Sequence, residues 1–225
     1  MTTPFIQIEN IRVFGKKGAQ LTSKQIESIQ PTLSTQLHMV RHFKSLPEEY
    51  LKTLKLNDEE SQRLLKTKGS NFYSDLEFVS NPLAVIASVK QHALEMANNG
   101  ELFWIEKKSR KFCLFSIDYD QPVGDCGLVK ISELTQELQK KIKVEKRGDA
   151  QGDNYEIKTL KHAMVPTNHV IVELFFTYDQ NVEIGTAYPG IMAPDQPDKS
   201  GQSKEEYEYN CQFWEEHVFI DPTSL

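Results

Sequence analysis

The residues best suited to chemistry crowd into the second half of the chain. His169 follows Asn168 at the head of an apolar run from Val170 to Thr177, and Glu173 is the one acidic residue inside that run. Four turn-type residues, Tyr178 to Asn181, lead to a second run, Val182 to Tyr188, which carries Thr186 and Tyr188. His162 precedes the first run, and His217 stands in a final helical stretch beside Phe213 and Trp214. If the two runs pair as antiparallel strands and the last helix packs across them, these side chains converge. General acid–base chemistry requires two groups of separated pKa near one reacting atom. A histidine with a glutamate, and hydroxyl or cationic groups for a phosphate, suffices for RNA cleavage without a metal. One group takes the proton of the ribose 2′-OH, another protonates the leaving 5′-oxygen, and a cation stabilises the developing charge. His169, Glu173 and Thr186 are the catalytic candidates. Lys158, Lys161, His162, Tyr188 and His217 are the candidates for holding substrate.

Each of these residues also has a purely structural account. His169 can end a loop and bond a backbone carbonyl, and Glu173 can pair with a lysine. Thr186 and Tyr188 have high strand propensity and can simply pack. Phe213 and Trp214 suit a core as well as a base-stacking platform. His217 near a helix C-terminus gains from the helix dipole without any function. His38 and His42 lie four apart on a predicted helix, a spacing that can bind a metal, but no Asp, Glu or Cys pattern accompanies them. They read as an ordinary helix surface, and His92 reads as surface or boundary on its helix. There is no Walker loop, GxGxxG, GxSxG or HExxH motif. Cys113, Cys126 and Cys211 are widely spaced and form no knuckle, so they read as free thiols. No metal and no cofactor is expected.

The elements that would position the cluster follow from periodicity and capping. Phe5 to Phe14 reads as a first strand ending in a turn at Gly15 to Gly18. Thr22 with Gln25, Ser45 with Glu48, and Asn57 with Glu60 are capping-box pairs. They predict short helices over 22–29, 32–44, 46–55 and 58–67. Asn81 followed by Pro82, with Asn99 and Gly100 at the far end, marks a longer helix buried along Val85, Ile86, Val89, Ala93 and Ala97. Leu102–Glu106 and Lys111–Tyr119 read as a hairpin. Ser132 starts a helix reaching about Ile142, residues 147–154 form a connector, and Tyr155–Leu160 is a short strand. Val170–Thr177 is apolar on both faces, the pattern of a strand covered on two sides. Ser203 with Glu206 caps the last helix, whose buried stripe reads Tyr207, Cys211, Trp214 and Val218.

A chain of 225 residues is long enough to bury a core without staples. Hydrophobic residues make up 39% and aromatics 10%, and mean hydropathy is -0.50, which fits a polar helical portion rather than disorder. The net charge of -6 argues against a generic nucleic-acid coat or a polybasic membrane anchor, though not against an enzyme with a locally basic RNA site. Met1 to Phe5 lacks the basic start and apolar stretch of a signal peptide, and no run approaches the ~18 apolar residues of a membrane span. An intracellular, cytoplasmic protein is expected. The fold class is α+β: a helical N-terminal half packed with a mainly antiparallel sheet formed after residue 100, with the strand at 5–14 as a candidate to join it. The division is 1–100 and 101–225, or one unit throughout.

The string His169-Val-Ile-Val-Glu-Leu-Phe, a turn, and then Ile184-Gly-Thr-Ala-Tyr-Pro189 resembles the late strands of bacterial ribonuclease-toxin domains of the barnase–colicin–RelE-like group. The resemblance implies a metal-independent RNase whose site lies on the sheet face, with His169, Glu173 and Thr186 as the positions carried over. The second functional reading is a non-enzymatic interaction or regulatory module. It would bind a protein partner through the aromatic and proline-rich surface of residues 189–217. RNA or a protein is therefore the candidate partner, and no membrane is expected.

Overall fold

The computed structural model describes residues 5–8, 11–65, 68–148, 154–161, 163–176 and 181–221. In chain order the first elements are β1 (Phe5–Ile8), β2 (Ile11–Phe14), β3 (Lys16–Gln20), α1 (Ser23–Glu27), α2 (Leu33–Val40), α3 (Glu48–Thr53) and α4 (Asp58–Leu64). Then come β4 (Asn71–Phe72), α5 (Pro82–Asn98), β5 (Phe103–Lys107), β6 (Arg110–Asp118), β7 (Gly124–Asp125) and β8 (Leu128–Lys130). The chain continues through α6 (Gln136–Gln139), β9 (Lys143–Gly148), β10 (Asn154–Leu160), β11 (Pro166–Thr167), β12 (His169–Phe176), β13 (Val182–Pro189), α7 (Lys204–Glu216) and β14 (His217–Ile220). The class is α+β with mainly antiparallel sheets, as the patterning predicts.

The central sheet has the order β13-β12-β6-β5-β3, every pair antiparallel. β12 is hydrogen-bonded on both edges and covered on both faces. One face sends Val170, Val172 and Leu174 into the main core, together with Cys113, Phe115 and Trp104 from the neighbouring strands. Ile26, Met39, Val85, Ile86 and Val89 from α1, α2 and α5 close that core, so it draws on both halves of the chain. The other face buries Ile171 with Ile105, Phe112 and Leu114 under Ile6, Ile8, Val13 and Met192. A second sheet, β8-β14-β10-β9, carries one parallel pairing, between β10 and β14. A third, β11-β7-β4, is held by Asp125, whose buried carboxylate accepts from Lys44 Nζ at 2.9 Å and from Tyr73 Oη at 2.8 Å. Among the described residues no helix is long and apolar enough to cross a membrane.

α5 follows its capping signals closely. Asn81 Oδ1 accepts from Leu83 N and Ala84 N at 3.0 and 3.1 Å, and Pro82 occupies the first turn, where its missing N–H costs nothing. The helix ends at Gly100, whose φ of 78° lets the chain leave in the left-handed conformation. The boxes at Thr22 and Asn57 form as reciprocal pairs.

Four readings require correction. β1 and β2 pair with each other and not with the central sheet, whereas the stretch Gly15–Gly18, read as a turn, runs into the strand Lys16–Gln20 beside β5. As an exposed, lysine-bearing edge strand, β3 needs no apolar alternation, so nothing in its pattern announces it. Ser45 caps no helix: α3 begins after Pro47, which supplies the starting φ instead. Ile131–Glu133 is a 3-10 turn, Thr135 caps α6, and Lys143–Gly148 is a strand whose last two residues fall where the connector was expected. On α7 the buried positions are Glu206, Asn210 and Phe213, one residue away from the expected stripe. The ion pair of Glu206 with Lys107 of β5 and the stacking of Phe213 on His217 set that rotation.

Leu174, fully buried on the central strand, tests this core. Leu174→Ala should lower stability by about 2–5 kcal/mol, the range for a cavity in a packed interior. Leu33→Ala, on a side chain that is 51% exposed, should change it by less than about 0.5 kcal/mol. Urea unfolding of both variants measures the difference.

Candidate functional site

A cleft of about 870 Å³ opens beside the exposed end of the β12–β13 pair. Its floor comes from Glu173 and Thr186, which are register partners, and from Tyr188, whose partner is Ile171. The pairing slips between Glu173 and Leu174, leaving Gly185 as the extra residue of a bulge. A Cβ at Gly185 would meet the Phe175 ring at 2.9 Å, so the glycine lets that ring lie against the strand as part of the cleft wall.

α2 forms the facing wall. Thr35 Oγ1 donates to Ile184 O at 3.0 Å and ties the helix to β13. The last turn then places His38 Nε2 within 3.2 Å of Thr186 Oγ1. His42, just past the helix end, is 4% exposed, and its Nδ1 lies 2.9 Å from Ser70 Oγ and 3.1 Å from Ser70 O. Its ring stacks on Tyr188 with centroids 5.5 Å apart. The third wall is the β5–β6 turn, where Arg110 Nη2 donates to Glu173 Oε1 at 2.7 Å and Lys111 stands beside it. Lys68 lines the remaining side.

Burial and neighbouring cations shape the titration of this wall. His38 is pushed below the usual imidazole range by burial, and then by Arg41 and Lys68. Burial drives His42 to about 3, with a Ser70 hydrogen bond opposing and His38, Lys68 and Arg41 adding. The Tyr188 phenol moves the other way: burial, followed by Cys126 and Glu173, raises it and keeps it protonated. At neutral pH the cleft therefore presents an uncharged His38 imidazole at the Thr186 hydroxyl and a protonated phenol on Tyr188, two residues further along the strand.

The sequence-derived candidates divide between this cleft and other places. Glu173, Thr186 and Tyr188 meet in it. His169 does not line it: on β12 it lies four residues from Glu173, about 13 Å along the strand, with buried Ile171 between them, and its Nδ1 faces Asp118 at 3.5 Å. Lys158 donates to Glu215 O, and Lys161 stands 3.6 Å from Asp221. His217 is buried, with Nδ1 2.7 Å from Phe213 O and its ring 3.8 Å over Phe213. His162 lies outside the described residues. The reading of His38 and His42 as a helix surface is corrected for His42, which is buried, whereas His38 is half-buried on α2; both line the cleft. Their spacing is the sequence signal that carried this, and the buried Met39 and Val40 beside them show which way α2 faces. Arg110 sits in what reads only as a hairpin turn, and Lys111 opens the strand read after it.

Within the 189–217 segment Pro189, Gly190, Glu206, Asn210, Phe213 and His217 are buried, and the other positions are half-buried or exposed. Ile191, Met192 and Ala193 pack with Leu128, Phe213, Trp214 and Phe219, and Trp214 Nε1 donates to Asp195 O at 3.2 Å. The large apolar side chains most exposed among the described residues are Leu33, Leu83, Val144 and Met164, none of them in this segment. No protein-family model matches the chain, and no curated protein sequence matches it.

The depressed His42 pKa carries a consequence for stability. The unfolded state binds its proton near 6.5 and the folded state only near 3, so the unfolded state holds more protons between those values. Stability is then complete above pH 6.5 and is lost as pH falls, by at most about 1.4 kcal/mol per unit from this residue. His42→Gln, which keeps a hydrogen bond available to Ser70, should show a shallower fall in urea-unfolding stability between pH 6.5 and 4 than the parent. Equal slopes would place the acid sensitivity elsewhere.

Proposed function

We propose that the cleft cleaves single-stranded RNA without a metal, by transfer of the phosphodiester to the neighbouring ribose 2′-oxygen. The observation that carries this reading is the pair formed by His38 and Tyr188. Their environments push their pKa values apart, as an acid–base pair requires, and both line the cleft, His38 beside Thr186 and Tyr188 two residues further along the same strand. His38 takes the 2′-OH proton, the 2′-oxygen bonds to phosphorus, the bond from phosphorus to the 5′-oxygen breaks, and the Tyr188 hydroxyl protonates that oxygen. The products are a 2′,3′-cyclic phosphate and a 5′-hydroxyl end. Arg110, with Lys111 and Lys68 nearby, supplies positive charge to the phosphate, and in the free protein Glu173 holds Arg110 at the cleft. Phe112, Phe175, Phe176 and Phe219 line the same cleft and give unpaired bases faces on which to stack. The likeness of the β12–β13 strings to ribonuclease-toxin strands points in the same direction.

The test is cleavage of a single-stranded RNA by the intact chain in EDTA. His38→Gln and Tyr188→Phe should each lower the rate by about 10²–10⁴-fold, the usual weight of a general acid or base. His169→Ala, outside the cleft, should stay within about threefold. With a base of lowered pKa, the acidic limb of the rate profile should fall below pH 6.5. Cleavage that survives in both His38→Gln and Tyr188→Phe, or no cleavage by the folded parent, overturns the reading.

A further inference from the structure

Behind the Arg110–Glu173 ion pair lies a second hollow of about 100 Å³. It shares Arg110, Phe112, Glu173 and Ala193 with the main cleft, so that pair forms the boundary between the two spaces. Arg110 is 68% exposed in its side chain and has solvent to swing into. The hollow's far wall is α7, which turns Asn210 into it. Asn210 is 1% exposed, yet neither its Oδ1 nor its Nδ2 has a hydrogen-bond partner among the described residues. A buried amide with both ends unmatched is costly, and such groups in folded proteins are ordinarily satisfied by something.

The surroundings narrow what that something is. Lys107 is held by Asp195 at 2.5 Å and Glu206 at 2.8 Å, and Arg12 stands 3.6 Å from Glu205. The cations of the hollow already face carboxylates, which disfavours an anion. Phe14, Phe112, Met192 and Pro194 provide apolar contact for a flat ring. An asparagine amide offers a donor and an acceptor side by side, the complement of a nucleobase edge. The volume equals roughly three waters' share of liquid, which suits one six-membered ring better than a fused pair. We propose that this hollow is a base-recognition subsite of the cleft, in which Asn210 reads the hydrogen-bonding edge of a pyrimidine. The inference rests on the RNA-cleaving reading above. In it, Arg110 leaves Glu173 for the substrate phosphate and opens the way for the adjoining base.

Calorimetric titration of the intact chain with the 3′-monophosphates of uridine, cytidine, adenosine and guanosine tests it. The two pyrimidine nucleotides should bind at least about tenfold more tightly than the purines, the discrimination of one good bidentate contact. Asn210→Leu, of similar shape and without the amide, should bring all four within about twofold and should not lower the melting temperature. Ala193→Leu, which narrows the shared mouth without touching Asn210, should also erase the preference and covers the case of a misfolded Asn210 variant. Equal binding of all four by the parent, or a preference that survives both substitutions, leaves only ordered water in the hollow and overturns the subsite. RNA cleavage with no base preference removes the subsite and keeps the cleft reading. Absence of both cleavage and nucleotide binding removes the two together.

Discussion

The two-sided burial of β12 is the constraint on which the rest of the structure depends. A strand paired on both edges has its backbone groups satisfied, so it tolerates a dry environment on either face. Val170, Val172 and Leu174 use one face and Ile171 the other, all at 1% exposure or less. Glu173 is the exception, and a carboxylate in such a strand demands a cation or water. The chain meets the demand with Arg110 and with the cleft itself. The bulge at Gly185 is part of the same arrangement. It keeps Ile184 and Leu174 together in the core while Thr186 stays opposite Glu173 on the polar side. A regular ladder would force one of these pairings out of register.

From that constraint follows the character of the α2 wall. Thr35 bonds the carbonyl of Ile184, so the helix is anchored at the bulge and its last turn necessarily overlooks Thr186. His42 is packed between Ser70 and the Tyr188 ring, where a proton would add a charge next to Arg41 and Lys68. Its role is to hold the Tyr188 ring in place while remaining neutral. His38 is only partly enclosed and keeps a ring nitrogen toward the cleft. Two histidines one helical turn apart thus differ in kind because of where the helix end falls relative to the loop at Ser70.

What was legible in the sequence was whatever local pattern determines. The capped helix α5, the β5–β6 hairpin and the β12–β13 pair announce themselves by end residues and alternation, and with them the encounter of Glu173, Thr186 and Tyr188. What was hidden depends on partners distant in sequence. β3 is a polar edge strand, and its identity comes from β5. The rotation of α7 comes from Lys107 and His217, so that glutamate and asparagine are buried while Trp214 remains partly exposed. His38 and His42 differ from a solvent-facing pair only because Ile184 and Ser70 approach them from elsewhere in the chain. His169 shares a face with Glu173, but alternation gives faces, and distance along the strand separates the two.

On the RNA-cleaving reading proposed above, the acidic balance of the whole chain and a site for a polyanion are compatible because fields near a cleft are set locally. The net charge of -6 is spread over 225 residues, and beyond about 8–10 Å salt screens exposed charges from one another. Inside the cleft the ionisable lining is Lys68, Arg110 and Lys111 against Glu173 and Asp221, with both histidines held neutral by burial. Glu173 is committed to Arg110, and Asp221 is within 3.6 Å of Lys161. Lys68 and Lys111 are therefore left to set the sign that an approaching phosphate meets, and low-dielectric walls of phenylalanine concentrate their field. Attraction of this kind is short in range. On the proposed reading it would favour a flexible single strand that can enter the cleft over a rigid duplex that must bring its charge up against the acidic surface around it.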